Sequence, residues 1–112
     1  MNSKFIGNGR VVTLSGSSSF KDEFIQKQYE LSMKGFIVLS LPLFSHYDKI
    51  EISIEEQEML FENHLKKIEM SDILFVINKG GYIGYNTSKE IKHAKNLGKE
   101  IIYMEECVID GK

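Results

Sequence analysis

Four short apolar runs of strand length, separated by longer stretches of helical spacing, constrain this chain more than any other feature. They are Val11 to Leu14, Phe36 to Leu39, Ile73 to Ile77 and Ile101 to Met104. All are rich in β-branched residues and, apart from Thr13 and Tyr103, none alternates with polar residues. That is the pattern of strands covered on both faces, as in a parallel sheet. Between them, Phe20, Phe24, Gln28 and Leu31 form one helical stripe, Leu60, Phe61, His64, Leu65 and Ile68 a second, and Thr87, Glu90, Ile91, Ala94 and Leu97 a third. Gly35 and Gly98 fall where helices end in a left-handed residue, and a strand follows each at once. The order β-α-β-α-β-α-β predicts a doubly wound α/β domain of three layers, flavodoxin-like or Rossmann-like. Its parallel sheet should have four or five strands in the order 2-1-3-4, with the second helix on the face opposite the first.

A chain of 112 residues, 42% of them hydrophobic, fills one core, so a single domain over 1–112 with its core at about 10–104 is expected. The net charge of -2 lacks the basic excess that a polynucleotide backbone demands, so no polynucleotide partner is expected, while a mononucleotide remains open. One cysteine, Cys107, allows no internal disulfide, and no apolar run reaches the length of a membrane span or of a signal peptide. A cytoplasmic protein without a membrane partner is the reading that follows. His46, His64, His93 and Cys107 lack the spacing of a metal site, and neither a dinucleotide fingerprint nor a P-loop is present, so no metal and no cofactor are expected.

In doubly wound sheets ligands bind at the carboxyl ends of the strands. After the first strand, Gly16, Ser17, Ser18 and Ser19 precede a helix start, where free N–H groups favour an anion. A plain serine cap explains the same residues equally well. After the third strand, the loop from Asn78 to Glu90 packs Gly80, Gly81, Tyr82, Gly84 and Tyr85 together, giving close backbone approach and stacking faces. Glu90 then stands either at the pocket rim as an ionised carboxylate or as the return half of a capping box, because Thr87-Ser88-Lys89-Glu90 fits that pattern outright. His64, on the second stripe, points inward or towards the pocket, as a structural histidine or as an acid or base. His46 lies in the loop after the second strand, placed for a ligand or for solvent, and His93 joins Lys89, Lys92 and Lys95 on a solvated face.

The segments GSSSFKDEF, VLSLPLFSH and ENHLKKIEMSDILFVINKGGYIGYNTSKEIKHAKNLGKEIIY resemble the small bacterial proteins related to nucleoside 2-deoxyribosyltransferases and deoxynucleotide N-glycosidases. The likeness runs from about Val11 to Met104. Its most specific part is the GGYIG loop followed by Thr87, Glu90, Ala94, Gly98 and Lys99. The resemblance implies an enzyme of N-glycosidic bonds, hydrolase or transferase, acting on a nucleoside or nucleoside 5′-monophosphate with Glu90 as nucleophile and His64 beside it. It further implies that the loop of Gly16, Ser17, Ser18 and Ser19 and the turn through Gly84, Asn86 and Thr87 surround the sugar and any 5′-phosphate, and that the protein is a homo-oligomer; the placement of the strand-end loops adds His46, Gly81 and Tyr82 to the expected ligand wall. Met59 and Phe61, apolar residues beside the second stripe, are candidates for such a contact.

Three positions depart from the family pattern. His64 stands eight residues before Asp72 where the enzymes carry an aspartate, Ser19 takes the place of an arginine, and Asn86 replaces the glycine before Thr87. Without the arginine a phosphate fork is missing. A nucleotide-sensing module without chemistry is therefore the alternative, and a structural oligomerisation domain a third.

Overall fold

A computed structural model describes residues 4–106. Cys107 lies outside the described residues. The strands are β1 (Val11–Gly16), β2 (Ile37–Leu39), β3 (Ile73–Ile77) and β4 (Glu100–Tyr103), all parallel and ordered β2-β1-β3-β4. The expected order therefore holds, with four strands among the described residues. The helices are α1 (Lys21–Met33), α2 (Ser45–Asp48), α3 (Ile54–Glu69) and α4 (Tyr85–Asn96). The short turn α2 was not foreseen; α3 and α4 are the second and third helices of the sequence reading.

Alternation along the central strands sorts the core into two layers. Val12 and Leu14 of β1 join Ile73, Phe75 and Ile77 of β3 on the face that Phe24 of α1 covers. Leu74 and Val76 face the other way, onto Ile68 of α3 and Ile91 and Ala94 of α4. The second predicted helix thus lies opposite the first. On that same side β1 presents polar side chains, Thr13 and Ser15, both fully buried. Thr13 Oγ1 is bonded to the Lys67 carbonyl and to Ser71 Oγ, so its burial leaves no polar atom stranded.

Coverage on both faces is a property of β1 and β3 only. Ile37 on β2 is 53% exposed, and Glu100 and Ile102 on β4 are exposed as well, because edge strands are only partly reached by three long helices. Two stripe assignments also shift. Gln28 is exposed on α1, and Leu97 is the exposed C-cap of α4 rather than a core residue. Gly35 and Gly98 do take the left-handed conformation, with φ of 94° and 74°.

Candidate active site

The carboxyl edge of the sheet carries a cavity of about 380 Å3, within the usual range for small-molecule sites. Three chain segments build it. The first is the end of β1, where Gly16 crosses so close to β3 that a Cβ would sit 2.6 Å from the Ile77 carbonyl oxygen. Only glycine fits there. The second is the run through Leu41, Pro42, Leu43 and α2, which brings His46 against the serine loop. The third is the Tyr82 to Glu90 stretch, faced across the cavity by Leu60, Phe61 and His64 of α3.

The serines do not cap α1. Its N-cap is Phe20, with no side-chain bond to the helix start. Ser17 Oγ instead accepts from the Ser19 amide and pairs with Ser19 Oγ at 2.7 Å, while Ser18 Oγ lies 2.6 Å from His46 Nδ1 and accepts from the His46 amide. The loop is thereby pinned to α2. Beside it, Tyr82 meets Phe20 edge to face at 6.1 Å between ring centroids, which holds the ring at the cavity mouth.

Glu90 is not a capping residue. Helix α4 begins earlier than its capping-box spelling suggests: Gly84 is the N-cap, the Ser88 amide bonds the Gly84 carbonyl at 2.9 Å, and no side chain caps the start. Thr87 therefore lies inside the helix, and Thr87, Glu90, Ile91 and Ala94 form one buried stripe at i, i+3, i+4 and i+7. That register turns Glu90 inward, to 7% exposure, at the point where the stripe leaves the hydrophobic core and reaches the cavity. Ser15 Oγ–H donates to Glu90 Oε1 from β1. Burial pushes the carboxyl up to about 7, against the smaller opposing pulls of the Ser15 hydrogen bond and the nearby Lys89 ammonium.

His64 sits beside it, 3% exposed, with Nε2 3.9 Å from Glu90 Oε1. Nε2–H donates to the Leu14 carbonyl at 2.9 Å. Burial, with help from the Lys67 ammonium, lowers the imidazole to about 4, so the ring is neutral at physiological pH. Two aromatic rings, Phe61 and Tyr85, line the opening. Lys89 places its ammonium 4.7 Å from the Phe61 ring centroid and 4.4 Å from that of Tyr85, bridging α3 and α4.

Of the residues singled out in the sequence, the cavity brings together Gly16, Ser17, Ser18, His46, His64, Tyr82, Gly84, Asn86, Thr87 and Glu90. Ser19 and Gly81 are not in its wall. Ser19 faces an adjoining shallow groove with Ser17, His46, Lys79 and Tyr82, and Gly81 is held in a 3-10 turn at Lys79–Gly81, its amide bonded to the Asn78 carbonyl. His93 is not simply solvated, since Nε2 meets Glu69 Oε2 at 3.0 Å. Sequence reasoning missed Ser15 as a partner of Glu90. Its signal was present in the alternation Val12, Thr13, Leu14, Ser15, which sets the two hydroxyls on one face. Among the described residues no group of three or more His, Cys, Asp or Glu could hold a metal ion, and no helix is long and apolar enough to cross a membrane.

A four-stranded parallel sheet in this order, helices on both faces and a cavity at its carboxyl edge define an α/β protein of the deoxyribosyltransferase fold. No protein-family model matches the chain, and no curated protein matches it. Among solved structures it is similar to a 2-desoxiribosyltransferase from Leishmania mexicana, with a TM-score of 0.61 and 14% sequence identity. The match covers 84% of this chain and 63% of that one, so the chain spans less than two thirds of its structural neighbour. At this identity the likeness establishes the fold.

Proposed function

We propose that the protein cleaves or transfers the N-glycosidic bond of a nucleoside or nucleoside 5′-monophosphate, with Glu90 as the nucleophile. One observation carries the reading: a buried carboxyl in the wall of a carboxyl-edge cavity, oriented by Ser15 and bordered by a neutral histidine. A carboxylate so placed can attack C1′ while the C1′–N bond breaks and its electron pair leaves with the base. Water, or a second base, then takes the sugar from Glu90 and restores the free carboxylate. With a pKa of about 7, Glu90 is substantially ionised near neutrality, and the Ser15 hydrogen bond favours the charged form. His64, expected as a second catalytic residue, is neutral and tied to the Leu14 carbonyl, so its part here is to position rather than to supply a proton.

A neutral His64, bonded to the Leu14 carbonyl at the position where the enzymes carry an aspartate, favours a second reading, a module that binds a nucleotide without chemistry. Incubation with nucleosides and their 5′-monophosphates, followed by chromatography for free base, separates the two: an enzyme releases base and Glu90→Gln does not, whereas a sensor is stabilised thermally by the ligand and releases none. Self-association belongs to the same proposal, with Met59 exposed on α3 as its candidate contact; Phe61 is half-buried in the cavity wall. A monomeric mass by light scattering at micromolar concentration would remove that part.

A further inference from the structure

Ser15 and Thr87 put two buried hydroxyls beside Glu90, and the protein itself uses only one of them. Ser15 Oγ–H donates to Glu90 Oε1. Thr87 is 5% exposed, one helical turn before Glu90 on the same buried stripe, and its hydroxyl has no hydrogen-bond partner among the described residues. A helical hydroxyl commonly turns back onto a carbonyl of the preceding turn, as Ser88 Oγ–H does to the Tyr85 carbonyl at 2.7 Å. Thr87 Oγ1 does not. Nor is it sealed in: the unpartnered and wholly enclosed side-chain atoms of the described residues are Ser40 Oγ and His64 Nδ1, and Thr87 stands in the cavity wall. The hydroxyl thus opens onto the cavity, and a polar group left free at such burial points to a partner that the ligand brings.

The place of Thr87 relative to Glu90 says which part of the ligand this is. Helical residues three apart stand about 5–6 Å apart at Cβ, and long side chains lean towards the helix N-terminus, so the Glu90 carboxyl extends over the turn that holds Thr87. The atom that Glu90 attacks therefore has Thr87 as its neighbour. A carboxylate attacking C1′ of a β-nucleoside approaches the face opposite the base. That face carries the 2′- and 3′-hydroxyls of a ribonucleoside, and the 3′-hydroxyl of a 2′-deoxyribonucleoside. A phosphate held there would stand against the Glu90 charge, whereas a sugar hydroxyl is neutral and, like Thr87 Oγ1, both donates and accepts. We propose that Thr87 Oγ1 hydrogen-bonds a hydroxyl on the attacked face of the sugar, at C2′ or C3′. Resting on the nucleoside reading above, this makes Thr87 a specificity-determining residue: a sugar without that hydroxyl leaves the nearly buried Thr87 unpaired, and the site rejects it.

The test uses the whole chain carrying Glu90→Gln, which holds a nucleoside without consuming it. Calorimetric titration compares adenosine, guanosine, cytidine and uridine, and their 5′-monophosphates, each with its 2′-deoxy, 3′-deoxy and 2′,3′-dideoxy form. The dideoxy form should bind about tenfold or more weakly than its parent, and the monodeoxy form that shares the loss identifies the hydroxyl. Adding Thr87→Val, which keeps the side-chain shape and removes the hydroxyl, should bring parent and dideoxy forms within about twofold, while Thr87→Ser should preserve the ratio. Should circular dichroism show that the Thr87→Val protein does not fold, Thr87→Ala takes its place. A dideoxy form bound as tightly as its parent, a ratio that survives loss of the hydroxyl, or a ratio that Thr87→Ser abolishes as fully as Thr87→Val would each overturn the proposal. The nucleoside reading would outlive any of these, because base release by the wild-type chain tests it separately. Binding by no member of the set would overturn both.

Discussion

Ser53 to Glu56 and Thr87 to Glu90 spell the same short pattern, a hydroxyl residue followed three positions later by glutamate, and the fold uses them differently. At the start of α3 the pattern is a capping box: Glu56 N–H donates to Ser53 Oγ at 3.0 Å and Ser53 N–H to Glu56 Oε1 at 2.8 Å, both residues exposed. At α4 the helix has already begun at Gly84, one turn earlier, and the same spelling lies inside it with both residues buried. The difference comes from what precedes each pattern. Ile52 and Ser53 leave α3 no earlier helical stripe to extend, whereas Thr87 is itself the first residue of the stripe that packs α4 on the sheet. A buried glutamate without a capping duty is costly unless something repays its desolvation, and a ligand at the cavity wall is the natural candidate.

Conservative removal of each charge gives the largest contrast. Glu90→Gln keeps shape and most ground-state contacts but cannot attack C1′, so release of base should fall by several orders of magnitude. Glu56→Gln should leave that rate unchanged. The measurement is initial rate by chromatography on whichever nucleoside the wild type accepts. Equal rates for wild type and Glu90→Gln would leave the two glutamates functionally alike and remove the nucleophile assignment.

The next contrast is in the pH dependence of stability. Glu90 is raised from 4.5 to about 7 on folding, so between those values the folded chain holds a proton that the unfolded chain has lost, and stability falls as pH rises. His64, lowered from 6.5 to about 4, acts in the opposite sense: stability falls as pH drops through that interval. Each displacement corresponds to about 3 kcal/mol, and the two slopes oppose one another where the intervals overlap, from pH 4.5 to 6.5. Urea unfolding of the wild type should therefore be nearly flat across that overlap. Glu90→Gln should unmask the histidine, with stability climbing from pH 4 to 6.5, and His64→Gln should unmask the glutamate, with stability declining from pH 4.5 to 7. Parallel curves for the three proteins would mean that neither group is displaced as its burial requires.

The contrast also marks what the sequence can and cannot convey. Strands, their order and the placement of the second long helix opposite the first are legible because apolar runs and stripes report burial directly, and burial is what orders a doubly wound sheet. Edge exposure at Ile37 and Ile102 is not, since an edge strand and a central strand of this kind read alike until the order is known. Within the site, His64 and Glu90 are legible from their place on stripes. Gly81 and Ser19 misled because a glycine or serine near a strand end does not say which way its loop turns, and here the turn is set by contacts with residues distant in sequence, His46 for the serine loop and Glu105 for the Gly80 amide. Ser15 went unnoticed as a partner because its partner, Glu90, is 75 residues away.

The smallest expected effects lie in the true capping box, and they sharpen the comparison by showing what the pattern does when it only caps. Ser53→Ala removes the acceptor of the Glu56 amide, leaves that helix-start N–H to water, and should cost about 1 kcal/mol. Glu56→Gln should cost only a few tenths of that, roughly 0.3 kcal/mol, because the amide oxygen of glutamine can still accept from the Ser53 N–H, and what is lost is one exposed negative charge near a helix N-terminus. Both values are read from urea midpoints at constant m, and both variants should bind and turn over ligand like the wild type. The ranking is the discriminating result. If Glu56→Gln cost as much as Ser53→Ala, the charge rather than the hydrogen bond would hold the start of α3, and the same electrostatic role could no longer be denied to a glutamate elsewhere merely because its hydrogen bond to a cap is missing.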